Sequence, residues 1–172
     1  MKRIHLIRHA KSSWKNSRLP DINRPLNKRG KRTSDFMAQP LAQAGCCFKQ
    51  IFCSPAVRAQ TTIERISRGQ EQPLQWTTVD QLYTFDSRVL LDWCRVLDEA
   101  ISEPLIIGHN PALTDFCYAV SNTAKSKLNT TIKNIPTCGY VQLTLEESCS
   151  WQELTHGSAT LTAFLRPKTL MQ

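Results

Sequence analysis

Ile4-His5-Leu6-Ile7-Arg8-His9-Ala10 (IHLIRHA, residues 4–10) is the stretch on which the reading of this chain turns. The apolar run from Ile4 to Ile7 predicts a strand over Ile4–Arg8, apolar on both sides of the pleat and therefore central in a sheet. That strand ends abruptly on a cation beside an imidazole. Taken alone, Arg8-His9 is compatible with a surface pair, a buried ion pair or the head of an active site. What the rest of the chain brings beside it decides among these.

Two later apolar runs end in a similar way. Ile51-Phe52-Cys53 predicts a second strand, after which Ser54 is placed as the N-cap and Pro55 in the first turn of a helix reaching about Ser67. Leu105-Ile106-Ile107 predicts a third buried strand, running into Gly108-His109-Asn110-Pro111 and then a helix from about Ala112 to Val120. Residues 9–26, with Pro20 and Pro25, read as an irregular loop. Asn27 caps a helix to about Ala44 with Gly45 as its stop, and Pro40 predicts a kink or an early break in it. A weak strand is expected around Leu74–Thr78. A helix follows from Ser87 to about Ile101, on the helical spacing of Val89, Leu90, Trp93, Val96, Leu97 and Ala100. Residues 139–146, 150–155 and 158–165 read as strands. With no repeat or linker, the alternation predicts an α/β fold, a three-layer α/β/α sandwich on a mostly parallel sheet, in one domain spanning 1–172.

A chain of 172 residues can bury a full core, and 41% hydrophobic with 21% charged residues describes a globular rather than a disordered protein. No apolar run approaches the roughly 20 residues of a membrane helix, and the N-terminus lacks the pattern of a secretory signal, so a cytoplasmic protein without membrane association is expected. Seven cysteines, an odd number without C-x-x-C spacing, argue against a disulfide framework or a zinc site. Reduced, mostly buried thiols fit better. The net charge of +8 is unevenly spread. Residues 1–34 hold eleven of the 22 Lys and Arg and one acid, Asp21, for a net of +10, leaving −2 for the rest. Such a cluster suits an anionic partner.

In open α/β sheets ligands bind at the carboxyl ends of the parallel strands. By that rule Arg8-His9, Ser54 with Arg58 one helical turn further on, and Gly108-His109 gather at one edge. Arginine meets phosphate oxygens with a planar fork and stays charged, so Arg8 and Arg58 suit a phosphoryl group. The helix after Ser54 would add backbone donors and its dipole. A neutral histidine offers a nucleophilic lone pair near pH 7, and a second can donate a hydrogen bond to a phosphoryl oxygen. The scheme needs no cofactor and no metal.

These residues fall in blocks similar to those of the histidine phosphatase superfamily, once called phosphoglycerate-mutase-like. LIRHA (6–10) resembles its Arg-His-(Gly/Ala) strand end, SPAVRAQTT (54–62) its Ser-Pro-x-x-Arg block, and LIIGHNP (105–111) its second histidine, in the same order. The resemblance implies a phosphoglycerate mutase-like fold with His9 as the phosphorylated nucleophile, Arg8 and Arg58 on the phosphoryl group, and His109 completing the pocket. The chain lacks a large helical insertion. DINRPLNKRGKR (21–32) looks like the Arg-Pro-Leu-x-x-x-Gly string of SixA-like phosphohistidine phosphatases, bacterial proteins that dephosphorylate histidine on a signalling or phosphotransfer domain.

Lys11, Ser12, Asp21, Arg24 and Asn110 are the further candidates for substrate or loop contacts. No general acid is evident: Asp21 and Asp86 sit in loops that could reach the pocket, and Asp115 fits a structural role. Imidazole leaving from phosphohistidine has a conjugate-acid pKa of about 6.5 and needs less help than an alkoxide, so a missing acid favours a phosphohistidine substrate. The basic segment (Lys11, Lys15, Arg18, Lys28, Arg29, Lys31, Arg32) would then draw in an acidic phosphorylated domain. One alternative is a phosphatase of small phosphorylated molecules, sugar phosphates or nucleotides. Another is a non-enzymatic binder of anionic partners. Nucleic acid fits poorly, since only Trp14 and Phe36 lie among the basic residues.

Overall fold

The first strand, β1 (Arg3–Arg8), sits in the middle of a six-stranded sheet, as its apolar character requires. The computed structural model of the protein describes residues 1–122 and 132–172. Along β1 the side chains alternate between two cores. Ile4 and Leu6 join one with Leu113 and Phe116, whereas Ile7 joins the other with Met37, Ile63 and Ile107. Full burial of each such side chain stabilises the fold by about 1.5–3 kcal/mol.

The chain then builds α1 (Lys28–Gln43), β2 (Gln50–Cys53), α2 (Val57–Ser67), the short β3 (Thr77–Thr78), α3 (Ser87–Arg95), β4 (Pro104–Gly108), α4 (Ala112–Val120), β5 (Tyr140–Leu145), β6 (Ala159–Leu165) and α5 (Pro167–Leu170). The sheet order is β3-β2-β4-β1-β5-β6. The first four of these are mutually parallel, while β5 runs antiparallel to β1 and β6 antiparallel to β5. Helices α1 and α2 cover one face, and α3 and α4 the other. This is the expected three-layer α/β/α sandwich.

Topology positions the site. The chain steps outward from β1 to β2 and β3, then returns to insert β4 between β2 and β1. Register pairs Arg8 with Gly108 and Cys53 with Ile107. The pairing extends beyond the strands, as His9 N donates to Gly108 O (3.1 Å) and Ser54 N to Ile107 O (3.0 Å). His9, Ser54 and His109 are thereby set side by side at one sheet edge.

Several local expectations differ from the structure. Pro40 neither breaks nor shortens α1; it lies in the last turn, where its missing N–H removes only one rung. Asn27 caps that helix by accepting from Gly30 N at 2.8 Å, and Gly45 takes φ +75° as its stop. Helix α3 ends at Arg95, short of Ile101, and Val96 is 79% exposed. Residues 150–155 form turns rather than a strand. There Trp151 is fully buried with its indole N–H on Ile101 O (2.9 Å), and Ser150 bonds Glu153. The seven cysteines are free thiols, five of them buried. No helix among the described residues is long and apolar enough to cross a membrane.

Candidate active site

At the carboxyl edge of β2, β4 and β1 a cavity of about 320 Å³ opens, lined by Arg8, His9, Lys11, Arg24 and Arg58 among others, with Asp21 as its single carboxylate among the described residues. His9 and His109 lie with ring centroids 5.0 Å apart. His109 is 1% exposed and stands behind the cavity wall, while His9 forms part of the wall itself.

The tautomers follow from their partners. His9 Nδ1 lies 2.8 Å from Ala10 O, and a carbonyl only accepts, so Nδ1 carries the proton. Nε2 is left with its lone pair, where Arg58 Nε donates to it at 3.3 Å. His109 is the reverse. Its Nδ1 accepts from Arg58 Nη2 at 3.3 Å, so Nε2–H donates to Ser54 Oγ at 2.7 Å. Desolvation by burial lowers the His9 pKa to about 4; the Ala10 carbonyl opposes this, and Arg58, Arg8 and Arg24 add to it. Burial, then the neighbouring His9 and Arg58, lower His109 to about 3. Both rings are neutral at pH 7.

Arg58, in the first turn of α2 and 1% exposed, ties the cluster together. Besides the two imidazoles it donates to Asp21 O (2.7 Å) and Asp21 Oδ2 (2.9 Å). Thr62, one turn later, accepts from Ala10 N (2.9 Å) and donates to Arg58 O (2.6 Å), so one hydroxyl fastens the loop after β1 to α2. Arg8 donates through Nη1 to Ile135 O (2.8 Å), whereas its buried Nε has no partner among the described residues. Arg8 as a residue also lines the cavity, where several cations meet one carboxylate among the described residues, a setting suited to an anion.

The remaining candidates divide. Arg24 is 8% exposed, bonds Asp21 Oδ1 and Ser12 Oγ (both 2.9 Å), and lies 3.5 Å over the Trp14 ring. Asp21 therefore holds two arginines, and it also accepts from Tyr83 Oη at 2.7 Å. Desolvation raises its pKa, but the hydrogen bonds from Tyr83 and Arg58, the Arg58 charge and the Arg24 hydrogen bond outweigh that and hold it at about 2. It has no proton to give near neutrality. Lys11 and Ser12 line the cavity. Asn110 also lines it, but its Nδ2 is engaged by Asn134 Oδ1 (2.6 Å) and Ile135 O (3.0 Å). Asp86 does not reach the cavity: it caps α3 and pairs with Arg88. Asp115 lies exposed on α4.

Sequence reasoning missed four contributors. Ser54 was expected as a helix cap, yet the cap position is Ala56, and Ser54 Oγ serves His109 while also accepting from Ala56 N at 3.3 Å. Its place beside a strand end was the available signal. Tyr83 packs edge-on against His109 (5.5 Å) and has no local signature. Trp14 and Phe85, 71% and 48% exposed, flank the cavity mouth; an exposed Trp beside a motif could have pointed to the first.

The sequence model of the histidine phosphatase superfamily (branch 1) matches residues 4–86, which contain Arg8, His9, Asp21 and Arg58. An uncharacterised protein of Picosynechococcus sp. is 25% identical over 119 residues, 69% of this chain and 72% of that protein. Among solved structures, the SixA protein of Agrobacterium tumefaciens superposes with a TM-score of 0.78 at 23% identity, covering 96% of this chain and 98% of that one. The protein histidine phosphatase SixA complexed with tungstate gives 0.77 at 21% identity, covering 98% and 99%. The fold is thus the SixA-like one, without a large helical insertion, and residues 4–86 are similar to the histidine phosphatase superfamily.

Proposed function

We propose that the protein is a phosphatase working through a phosphohistidine on His9, without a metal ion, and that its substrate is phosphohistidine on another protein, handled by the single domain of residues 1–172. The observation that carries this reading is the His9 tautomer: with Nδ1–H tied to Ala10 O, the Nε2 lone pair faces a cationic cavity. An oxyanion seated there would meet Arg8, which lines the cavity, and draw Arg58 from its contacts with the imidazoles. The binding of tungstate, a tetrahedral oxyanion, by the structurally similar SixA supports such an occupant.

In the first step His9 Nε2 attacks phosphorus, the new N–P bond forms, and the bond to the leaving group breaks. Arg8 and Arg58 neutralise the charge on the equatorial oxygens. His109, once Arg58 has turned to the phosphoryl group, can accept a hydrogen bond from the Ser54 hydroxyl at Nε2 and present Nδ1–H to a phosphoryl oxygen. In the second step water attacks the phosphohistidine, releasing phosphate and restoring neutral His9. Asp21, held at about 2, is no general acid. An alkoxide leaving group would lack a proton donor. The imidazole of a substrate phosphohistidine protonated on its other ring nitrogen leaves as a neutral molecule and needs none.

Rapid quench with a labelled phosphohistidine peptide tests both parts. Label is expected on His9 and absent from His9→Ala, with the phosphohistidine peptide turned over faster than an alkyl phosphomonoester. Faster hydrolysis of the alkyl ester would replace the protein substrate with a small phosphorylated molecule. Undiminished turnover in His9→Ala would end the covalent scheme.

A further inference from the structure

Beside the catalytic cavity lies a larger groove of about 740 Å³. Arg29, Arg32 and Thr33 of α1 form one wall, Pro136-Thr137 another, and Lys168 of α5 a third. Thr137 lines both concavities, so the groove and the catalytic cavity are neighbours on either side of it. The shared wall is firmly placed: Cys138 N donates to the carbonyls of Arg8 (2.9 Å) and His9 (3.2 Å), and Gly139 N to Pro136 O (2.8 Å).

Among the described residues no acidic side chain lines this groove, and Gln172, which carries the terminal carboxylate, is its one source of negative charge. Four other arginines have carboxylate partners, Arg65 with Asp35, Arg68 with Glu64, Arg88 with Asp86 and Arg95 with Asp92, whereas exposed Arg18 and Arg166 have none among the described residues. Arg29, Arg32 and Lys168 are exposed and have no carboxylate within ion-pair distance among the described residues. Lys11, at the neighbouring cavity, is likewise exposed and unpaired. Among the described residues three cations line the groove and no aromatic ring does. Nucleic acid bases want stacking platforms, whereas carboxylates want guanidinium forks and ammonium groups.

We propose that this groove docks an acidic segment of the phosphorylated protein, with its carboxylates on Arg29, Arg32 and Lys168, and so presents its phosphohistidine to His9. The proposal rests on the phosphohistidine reading for its second half only; the docking half stands on the groove. The attraction is long-ranged at low salt and screened at high salt.

The test uses the full chain and two synthetic peptides, each phosphorylated on one histidine, one flanked by Asp and Glu, the other by Ser and Gln. The same acidic peptide without phosphate serves as an anisotropy probe. At low salt kcat/KM for the acidic phosphopeptide should exceed that for the neutral one about tenfold. The triple variant Arg29→Glu, Arg32→Glu, Lys168→Glu should abolish the difference through KM and leave the neutral peptide within about twofold. The unphosphorylated acidic peptide should bind the wild type and not the variant. Equal turnover of the two phosphopeptides, or equal binding of the probe by wild type and variant, would overturn the proposal. So would tighter, variant-sensitive binding of a single-stranded oligonucleotide at the same salt. If neither phosphopeptide is hydrolysed while the probe still binds in a variant-sensitive way, the phosphohistidine reading fails and the acidic docking site stands.

Discussion

Two histidines lie four residues apart on and just beyond the same strand, and both are neutral because burial lowers their pKa to about 4. His5, mid-strand and fully buried, has Nδ1 2.8 Å from Tyr140 Oη and its ring stacked near that of Tyr140, at 6.0 Å and 16°. Its Nε2 meets no polar partner among the described residues. His9, just past the strand end, has its proton tied down on one side and its lone pair turned to a cationic cavity on the other. Basicity does not distinguish them. Position along the strand does, because only at the carboxyl end does the sheet stop enclosing the side chain and leave room for a reactant.

The contrast can be broken in order of expected effect. His9→Ala should lower phosphatase turnover by at least about 10³-fold, with the thermal midpoint little changed. His5→Ala should do the opposite, costing about 2 kcal/mol of stability in denaturant titration and leaving kcat within about twofold. If His5→Ala abolished activity in a folded protein, the two rings would belong to one functional unit and the contrast would be false. Ser54→Ala leaves the buried Nε2–H of His109 without its acceptor and should reduce kcat about tenfold, with a stability loss of about 1–3 kcal/mol in denaturant titration.

The last test is in pH. In the folded protein His5, His9 and His109 titrate at about 4, 4 and 3, below the 6.5 of an ordinary histidine. The unfolded chain therefore takes up protons first on acidification. Stability is intact above pH 6.5 and falls as pH drops towards 4, at up to about 1.4 kcal/mol per unit for each group. His5→Phe, which keeps a ring beside Tyr140, should make that slope shallower by one group without altering activity.

What was legible in the sequence were features that a few adjacent residues determine. β1, β2 and β4 are runs apolar on both faces, and a parallel sheet fixes which of their ends meet, so Arg8, His9, Arg58 and His109 could be brought together without coordinates. Asn27 and Gly45 announced the ends of α1 by side-chain chemistry alone. Features decided by distant partners were hidden. Trp151 and Leu154 are buried in turns, where an apolar pattern read as a strand. The spacing that includes Val96 suggested two more helical turns, but α3 stops and leaves Val96 in solvent. Ser54 could cap a helix or face His109, and only the insertion of β4 beside β2 decides for the latter. Tyr83 reaches Asp21 across 62 residues of chain, a contact no local pattern encodes.

Gly30 sets a mechanical constraint. A Cβ at that position would stand 2.2 Å from Lys11 O, so the first turn of α1 lies directly on the backbone two residues beyond His9, and Asn27 N also bonds Lys11 O at 3.0 Å. The helix that carries Arg29 and Arg32 thus has no slack relative to the nucleophile. It works as a ruler: a ligand held along α1 is held at a fixed offset from His9. Partners would then be sorted by the spacing between their anchoring charge and their phosphoryl group as well as by how strongly they bind.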